Sequence, residues 1–156
     1  MKNLSIISIV ILIFNFTFSQ STSSTQVSTF KIQAPELNTE KTVWIYLPKN
    51  YKISSNKYPV IYMHDAQNLF DDKTSYAGEW EVDEFMDSLS NQLSIIVGIE
   101  HGNEKRIKEL TPFPNEKYGG GNGLKYLEFI KSTLKPYIDK NYRTKHEPKY
   151  TTLFGR

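Results

Sequence analysis

The chain has 156 residues, a formal net charge of +2 and no cysteine. That length holds one domain with a packed core, and the absence of thiols excludes a disulfide framework and a cysteine nucleophile. Acidic and basic residues are interspersed, with no basic stripe of the kind nucleic acid selects.

MKNLSIISIVILIFNFTFSQ opens the sequence. A positive Lys2, an apolar stretch from Ser5 to Phe18 and small residues at Thr17 and Ser19 come in the order of a secretory signal peptide. Residues 1–19 are therefore predicted to be a leader cut before Gln20, with export to the periplasm or the exterior. Asn15 and Thr17 interrupt a run already short for a bilayer, so no stable membrane anchor is expected. Residues 20–26, which include STSST, read as a flexible lead-in without core-forming side chains. The domain proper runs over 27–156.

Val27 to Ala34 (VSTFKIQA) and Lys41 to Leu47 (KTVWIYL) alternate polar and apolar positions and read as two half-buried strands. The turn-rich PELNTE joins them and Pro48 closes the second. Tyr58 to Met63 (YPVIYM) and Ser94 to Ile99 (SIIVGI) are nearly continuous apolar runs, the pattern of strands covered on both faces. Between them, Val82, Phe85, Met86 and Leu89 recur at helical spacing within WEVDEFMDSLSNQ. Strand, helix and strand in that order require a parallel pair with a crossover.

A Pro- and Gly-containing loop spans 102–121. Asn122 then suits a helix cap, and Leu124, Leu127, Ile130, Leu134 and Ile138 form one apolar stripe. Pro136 falls inside that stripe and is expected to kink the helix or shorten its last turn. After a polar connection at 145–148, TTLFG begins another covered strand. The fold class is α/β, with a mixed sheet that starts antiparallel and ends parallel.

Ligands of open α/β sheets bind at the carboxyl ends of the parallel strands. Three such ends are polar or Gly-rich: HDAQNLFD after YPVIYM, EHGNEKR after SIIVGI, and GR after TTLF. His64 with Asp65, or Glu100 and His101 with Glu104, have the donor atoms for a metal, but adjacency in sequence does not give convergence. Hydrogen-bonded loop residues are the favoured reading, and no metal or cofactor is expected. GGGNG lacks the Lys-Ser or Lys-Thr of a phosphate loop and reads as a pocket rim. Trp44, inside a strand, is expected in the core. Asp65, Trp80 and His101 are the candidates for substrate contact, with packing an equal reading for Trp80.

YPVIYMHDAQNLFD, the GEW-containing segment, IIVGIEHGNEKRIKELTPF, the GGG loop with YLEFIKSTLKPYIDKNYR, and TTLFG together resemble the esterase family of α/β-hydrolases. That family includes siderophore and feruloyl esterases and, more distantly, mycolyltransferases. The resemblance runs in order from about Lys41 to Arg156. It implies the N-terminal part of an exported serine esterase that cleaves a small-molecule or glycan-linked carboxylic ester through an acyl-enzyme. Gly155 and Arg156 match the start of the G-x-S-x-G nucleophile elbow, so the expected serine is the next residue, and the acid and histidine of the triad come later still. No catalytic triad member is then present, and the chain alone is expected to be inactive. His64, His101 and His146 precede the elbow and do not match the triad base. The resemblance further implies that the His64–Gln67 loop supplies an oxyanion N–H from Gln67. Ala66 stands where the family commonly has glycine, which puts the loop's fine geometry in question. Asp65 and Asn68 equally suit a tight turn. The competing function is a non-catalytic module holding a glycan or phenolic ligand on aromatic side chains.

Overall fold

The structure is a computed structural model that describes residues 20–91 and 93–155. The predicted leader and Arg156 lie outside the described residues. Among the described residues no helix is long and apolar enough to cross a membrane.

Strands β1 (Val27–Ala34) and β2 (Thr39–Tyr46) form an antiparallel pair with Phe30 opposite Val43. β3 (Val60–His64) leads through a turn and an extended loop to α1 (Val82–Ser88), and the chain returns as β4 (Ile95–Ile99). β4 inserts between β2, which it meets antiparallel, and β3, which it meets parallel. The loop predicted at 102–121 contains a short helix, α2 (Arg106–Leu110), and a two-stranded ribbon, β5 (Pro114–Asn115) with β6 (Gly119–Gly120). Helix α3 (Gly123–Phe129) runs through a π-turn at Ile130–Leu134 into α4 (Lys135–Asn141). β7 (Thr151–Phe154) then pairs parallel with β3, and the sheet order is β1-β2-β4-β3-β7. The mixed α/β architecture, antiparallel first and parallel later, is the one predicted.

Each face of the sheet carries its own core. On one face Val43, Ile45, Val60, Tyr62, Ile95 and Val97 pack with Tyr126, Phe129, Leu134 and Ile138 of the long helix. On the other, Trp44, Tyr46, Met63 and Ile96 pack with Leu69, Phe70 and Met86. β2 therefore differs from the half-buried strand expected, because Val43 to Tyr46 are all buried. A strand between two neighbours, with helix on one face and loop on the other, has no wet side.

The helices depart from the sequence pattern in informative ways. Phe85 is 64% exposed, whereas Asp83 is fully buried on α1. Asp83 accepts the Ser24 N–H at 2.6 Å, which turns the Asp83–Met86 face inward and rotates Phe85 outward. In the long helix, Leu124 and Leu127 are 69% and 47% exposed, and Tyr126 and Phe129 are buried in their place. Tyr126, Ile130, Leu134 and Ile138 are spaced by four, and an α-helix rotates such a series by about 40° per step. The π-turn, in which the Lys135 N–H reaches the Ile130 carbonyl, absorbs that drift and keeps all four residues on the core. It also sits directly before Pro136, whose missing N–H and ring are disruptive in a regular α-helix. The helix is not shortened by the proline and continues to Asn141.

Two further expectations change. Residues 20–26 are tied down: Ser21 donates to Asp71 at 2.6 Å, and the Ser24 hydroxyl donates to Asp87 at 3.0 Å. β7 is not covered, since Leu153 and Phe154 are 44% and 52% exposed. Among the described residues its only strand neighbour is β3, so one edge and much of both faces meet solvent.

Candidate active site

The parallel registers place Ile99, His64 and Phe154 at one end of the sheet, so the loops after β4, β3 and β7 gather there. Gly155 lies directly against the His64 ring. A Cβ added at Gly155 would collide with His64 Cδ2 and stand 3.0 Å from Nε2, so a residue with no side chain is required for β7 to end there. His64 Nδ1 shares a 2.8 Å hydrogen bond with the hydroxyl of the buried Tyr126. Burial lowers the His64 pKa from its ordinary value, and Arg106 lowers it further against the opposing pull of Asp65. The ring is accordingly neutral at pH 7. Burial raises the Tyr126 pKa strongly, so the phenol also stays neutral.

Asp65 takes a left-handed backbone, φ 58° and ψ 44°, a conformation that Asp tolerates better than most residues. Its carboxylate receives two hydrogen bonds from Arg106, from Nε and Nη2, each 2.8 Å. Burial alone would push the Asp65 pKa up, but the Arg106 hydrogen bond and charge outweigh it and hold the carboxyl below its ordinary range. The pair spans 41 positions in sequence and fastens the β3 loop to α2. Residues 66–68 then form one 3-10 turn, closed by the Asn68 N–H to Asp65 and the Leu69 N–H to Ala66. The N–H groups at the start of such a turn lie outside its closing bonds. Ala66 is 1% exposed, faces Gly98 of β4 and has a negative φ. Alanine is therefore unstrained there, and the unusual dihedrals belong to Asp65.

The remaining candidates take separate positions. Gln67 is half-buried, its carbonyl accepts from the Thr74 hydroxyl at 2.8 Å, and its Oε1 is buried without a partner. Trp80 is 36% exposed, and its backbone N–H bonds to the Asn68 carbonyl at 2.8 Å. His101 accepts the Asn103 N–H through Nδ1 at 2.9 Å. Glu100 accepts the Trp44 indole N–H at 2.7 Å, which places Trp44 in the core as expected. His64, Asp65, Glu100 and His101 thus each engage a hydrogen-bond partner at the strand ends. The Asp65 carboxylate in particular is occupied by Arg106.

Sequence reasoning missed the groups behind this front. Lys41 and Glu109 form a buried ion pair of 2.5 Å, with the two side chains 4% and 6% exposed. Glu109 also accepts the Gly102 N–H at 3.1 Å, and Lys41 reaches the Glu100 carbonyl at 3.5 Å. Together they lock α2 and the β4 loop onto the sheet. Between this lock and the long helix lies a cavity of ≈ 190 Å³ lined by His64, Glu109, Leu110, Pro112 and Tyr126. A wider groove of ≈ 550 Å³ lies at the opposite end of the strands, by Tyr58, Pro59 and Leu93, and neither histidine nor carboxylate lines it. The candidate site is placed at the His64 end, where the Asp65–Arg106 pair and the Gly155 contact converge at the carboxyl ends of the parallel strands.

A neutral histidine, a strained turn with N–H groups at its start and a strand ending on glycine suit the binding of a polarised carbonyl oxygen. Two curated Bacillus subtilis (strain 168) proteins are similar: uncharacterized protein YbbA, 28% identical over 121 residues, covering 71% of this chain and 44% of its own, and uncharacterized protein YjcH, 29% identical over 126 residues, covering 81% and 47%. The chain thus spans about half the length of the curated relatives it matches. Among solved structures, an IroE-like serine hydrolase from Shewanella oneidensis superposes with TM-score 0.60 at 24% identity, over 76% of this chain and 39% of that one. The BES protein from Bacillus cereus superposes with TM-score 0.65 at 21% identity, over all of this chain and 56% of the other. The family described as "Putative esterase" matches residues 34–156, all of the sheet from the end of β1 onward, and the chain belongs to that α/β-hydrolase-type esterase family.

Proposed function

We propose that the whole protein is an exported serine esterase that hydrolyses a carboxylic ester, on a small molecule or a glycan, through an acyl-enzyme. The residues described here form the oxyanion side of its site. Family membership supports ester hydrolysis, and one contact carries the reading: β7 ends on Gly155 against His64. A nucleophile just beyond Gly155 would face the β3 loop, where the Gln67 N–H would donate a hydrogen bond to the developing oxyanion of the tetrahedral intermediate. The nucleophile attacks the carbonyl carbon, the alcohol leaves with a proton, and water releases the acid. Serine following Arg156, with the acid and base later in the chain, would supply the reacting groups.

The experiment is fluorophosphonate labelling of a chain continued past Arg156, beside the 156-residue chain alone. The longer chain should label on the serine after Arg156 and hydrolyse nitrophenyl esters, and the shorter chain should do neither. Gln67→Pro should lower kcat by about 100-fold or more in the longer chain, because it removes one oxyanion donor. Gly155→Ala should abolish labelling by driving a Cβ into His64. Labelling or turnover by the 156-residue chain would refute this reading.

A further inference from the structure

Glu79, Asp83 and Glu84 each bring one carboxylate oxygen within 4.8 Å of the others. None of the three is ion-paired to a Lys, Arg or His among the described residues. Crowding alone is common on acidic surfaces, but here two of the oxygens are sealed from water. The Asp83 side chain is fully buried, and only its Oδ2 is used, by the Ser24 N–H at 2.6 Å. Asp83 Oδ1 has no partner, and neither does the buried Glu79 Oε2. Buried carboxylate oxygens without donors are expensive, and in one cluster they need a shared positive group.

We propose that Glu79, Asp83 and Glu84 form a calcium-binding site. An all-oxygen carboxylate set selects a hard cation over zinc or copper. Oxygens on opposite sides of a calcium ion lie about 4.8 Å apart, twice a bond of about 2.4 Å, so three oxygens that all lie within 4.8 Å of one another can share one ion. Magnesium demands a tighter octahedron and keeps most of its water, so a set of three protein carboxylates suits it less. Backbone carbonyls and water would complete the shell. Left-handed dihedrals at Gly78 (φ 87°) and Glu81 (φ 52°) fold the chain back so that Glu79 returns to α1. A cation held there would join this fold-back to α1 and, through Asp83, to Ser24. The same stretch bonds to the β3 loop through Trp80 N–H to Asn68 and Val82 N–H to Leu69, so the cation would stiffen that loop. The proposal does not depend on the esterase reading.

The test uses the full chain stripped with EDTA. Terbium luminescence, sensitised by the neighbouring Trp80, and calcium calorimetry read binding, and thermal melts read its effect on stability. Calcium should bind with Kd of about 10⁻⁴–10⁻³ M, the range of extracellular modules, and should raise Tm. Glu84→Gln, at an exposed position, should keep the fold and weaken binding by about tenfold or more. Asp83→Asn should melt at or above the metal-free wild type yet show no calcium response. No calcium response up to about 10 mM, magnesium binding as tight as calcium, or a response unchanged in both variants would each overturn the site.

Discussion

At the scale of single residues, the site rests on buried charges that are matched in pairs. Asp65 is the sharpest case, because it combines a left-handed backbone with a carboxylate held by two hydrogen bonds from Arg106. Arg106→Leu would leave a buried carboxylate with no partner. Breaking a buried pair costs about 3–5 kcal/mol, but the Arg106 side chain is 41% exposed, and solvent screening brings the expected loss down to about 2 kcal/mol. Urea unfolding at neutral pH measures it. The pH dependence has a definite sign. The folded Asp65 pKa lies below its unfolded value, so the stabilisation is present above the unfolded pKa of about 3.9 and vanishes as pH falls through the folded value. The difference between wild type and Arg106→Leu should therefore be full near neutrality and shrink in acid. A constant difference down to strongly acid pH would mean that Arg106 acts by packing alone. None of these partners was readable in advance. Asp65 and Arg106 are 41 positions apart, and Lys41 and Glu109 are 68 apart. Each looks like an ordinary surface charge until the sheet brings its partner alongside.

At the scale of elements, the strands were more legible than the helices. A sheet imposes a period of two, or a continuous apolar run, and β1, β3 and β4 display those patterns within a residue or two of their observed bounds. A helix can change its phase, and here the π-turn does so. Reading leucines at regular spacing selected Leu124 and Leu127, because Tyr126 reads as amphipathic and nothing in the sequence announces a wide turn before Pro136. The corrected stripe makes a plain contrast. Leu134→Ala empties a site with no solvent exposure and should cost about 2–5 kcal/mol. Leu124→Ala, on the exposed side, should change stability by less than about 0.5 kcal/mol. Equal effects in chemical denaturation would restore the regular α-helical phase. β2 also misled, because alternation on a short strand cannot report that loop residues Leu69 and Phe70 cover its second face. Asp83 misled in the opposite direction, since a buried carboxylate at the start of α1 displaced Phe85 from the core.

At the scale of the whole molecule, the enclosed faces of the sheet contrast with its β7 edge. The face under the long helix buries Phe129, Leu134 and Ile138 to full exclusion of solvent. The sheet ends at β7, whose outer edge has no strand partner among the described residues and so offers N–H and C=O groups beside exposed Leu153 and Phe154. Such an edge templates pairing with another chain, and natural proteins blunt it with lysine, proline or a covering element. Thr151 to Phe154 carries none of those side-chain protections. The 156-residue chain is therefore expected to self-associate with rising concentration. Phe154→Lys puts a charge on the edge without removing a backbone donor, and should shift the onset of association to higher concentration by about tenfold in light scattering. A proline at Leu153 should act in the same direction through the edge hydrogen bonds. Both changes lie away from the buried residues of the long-helix face, so the near-UV signal of the folded core should be unaltered. If wild type and Phe154→Lys stay equally monodisperse over the whole concentration range, the β7 edge is not the adhesive surface, and the exposed Phe85 on α1 becomes the next position to change.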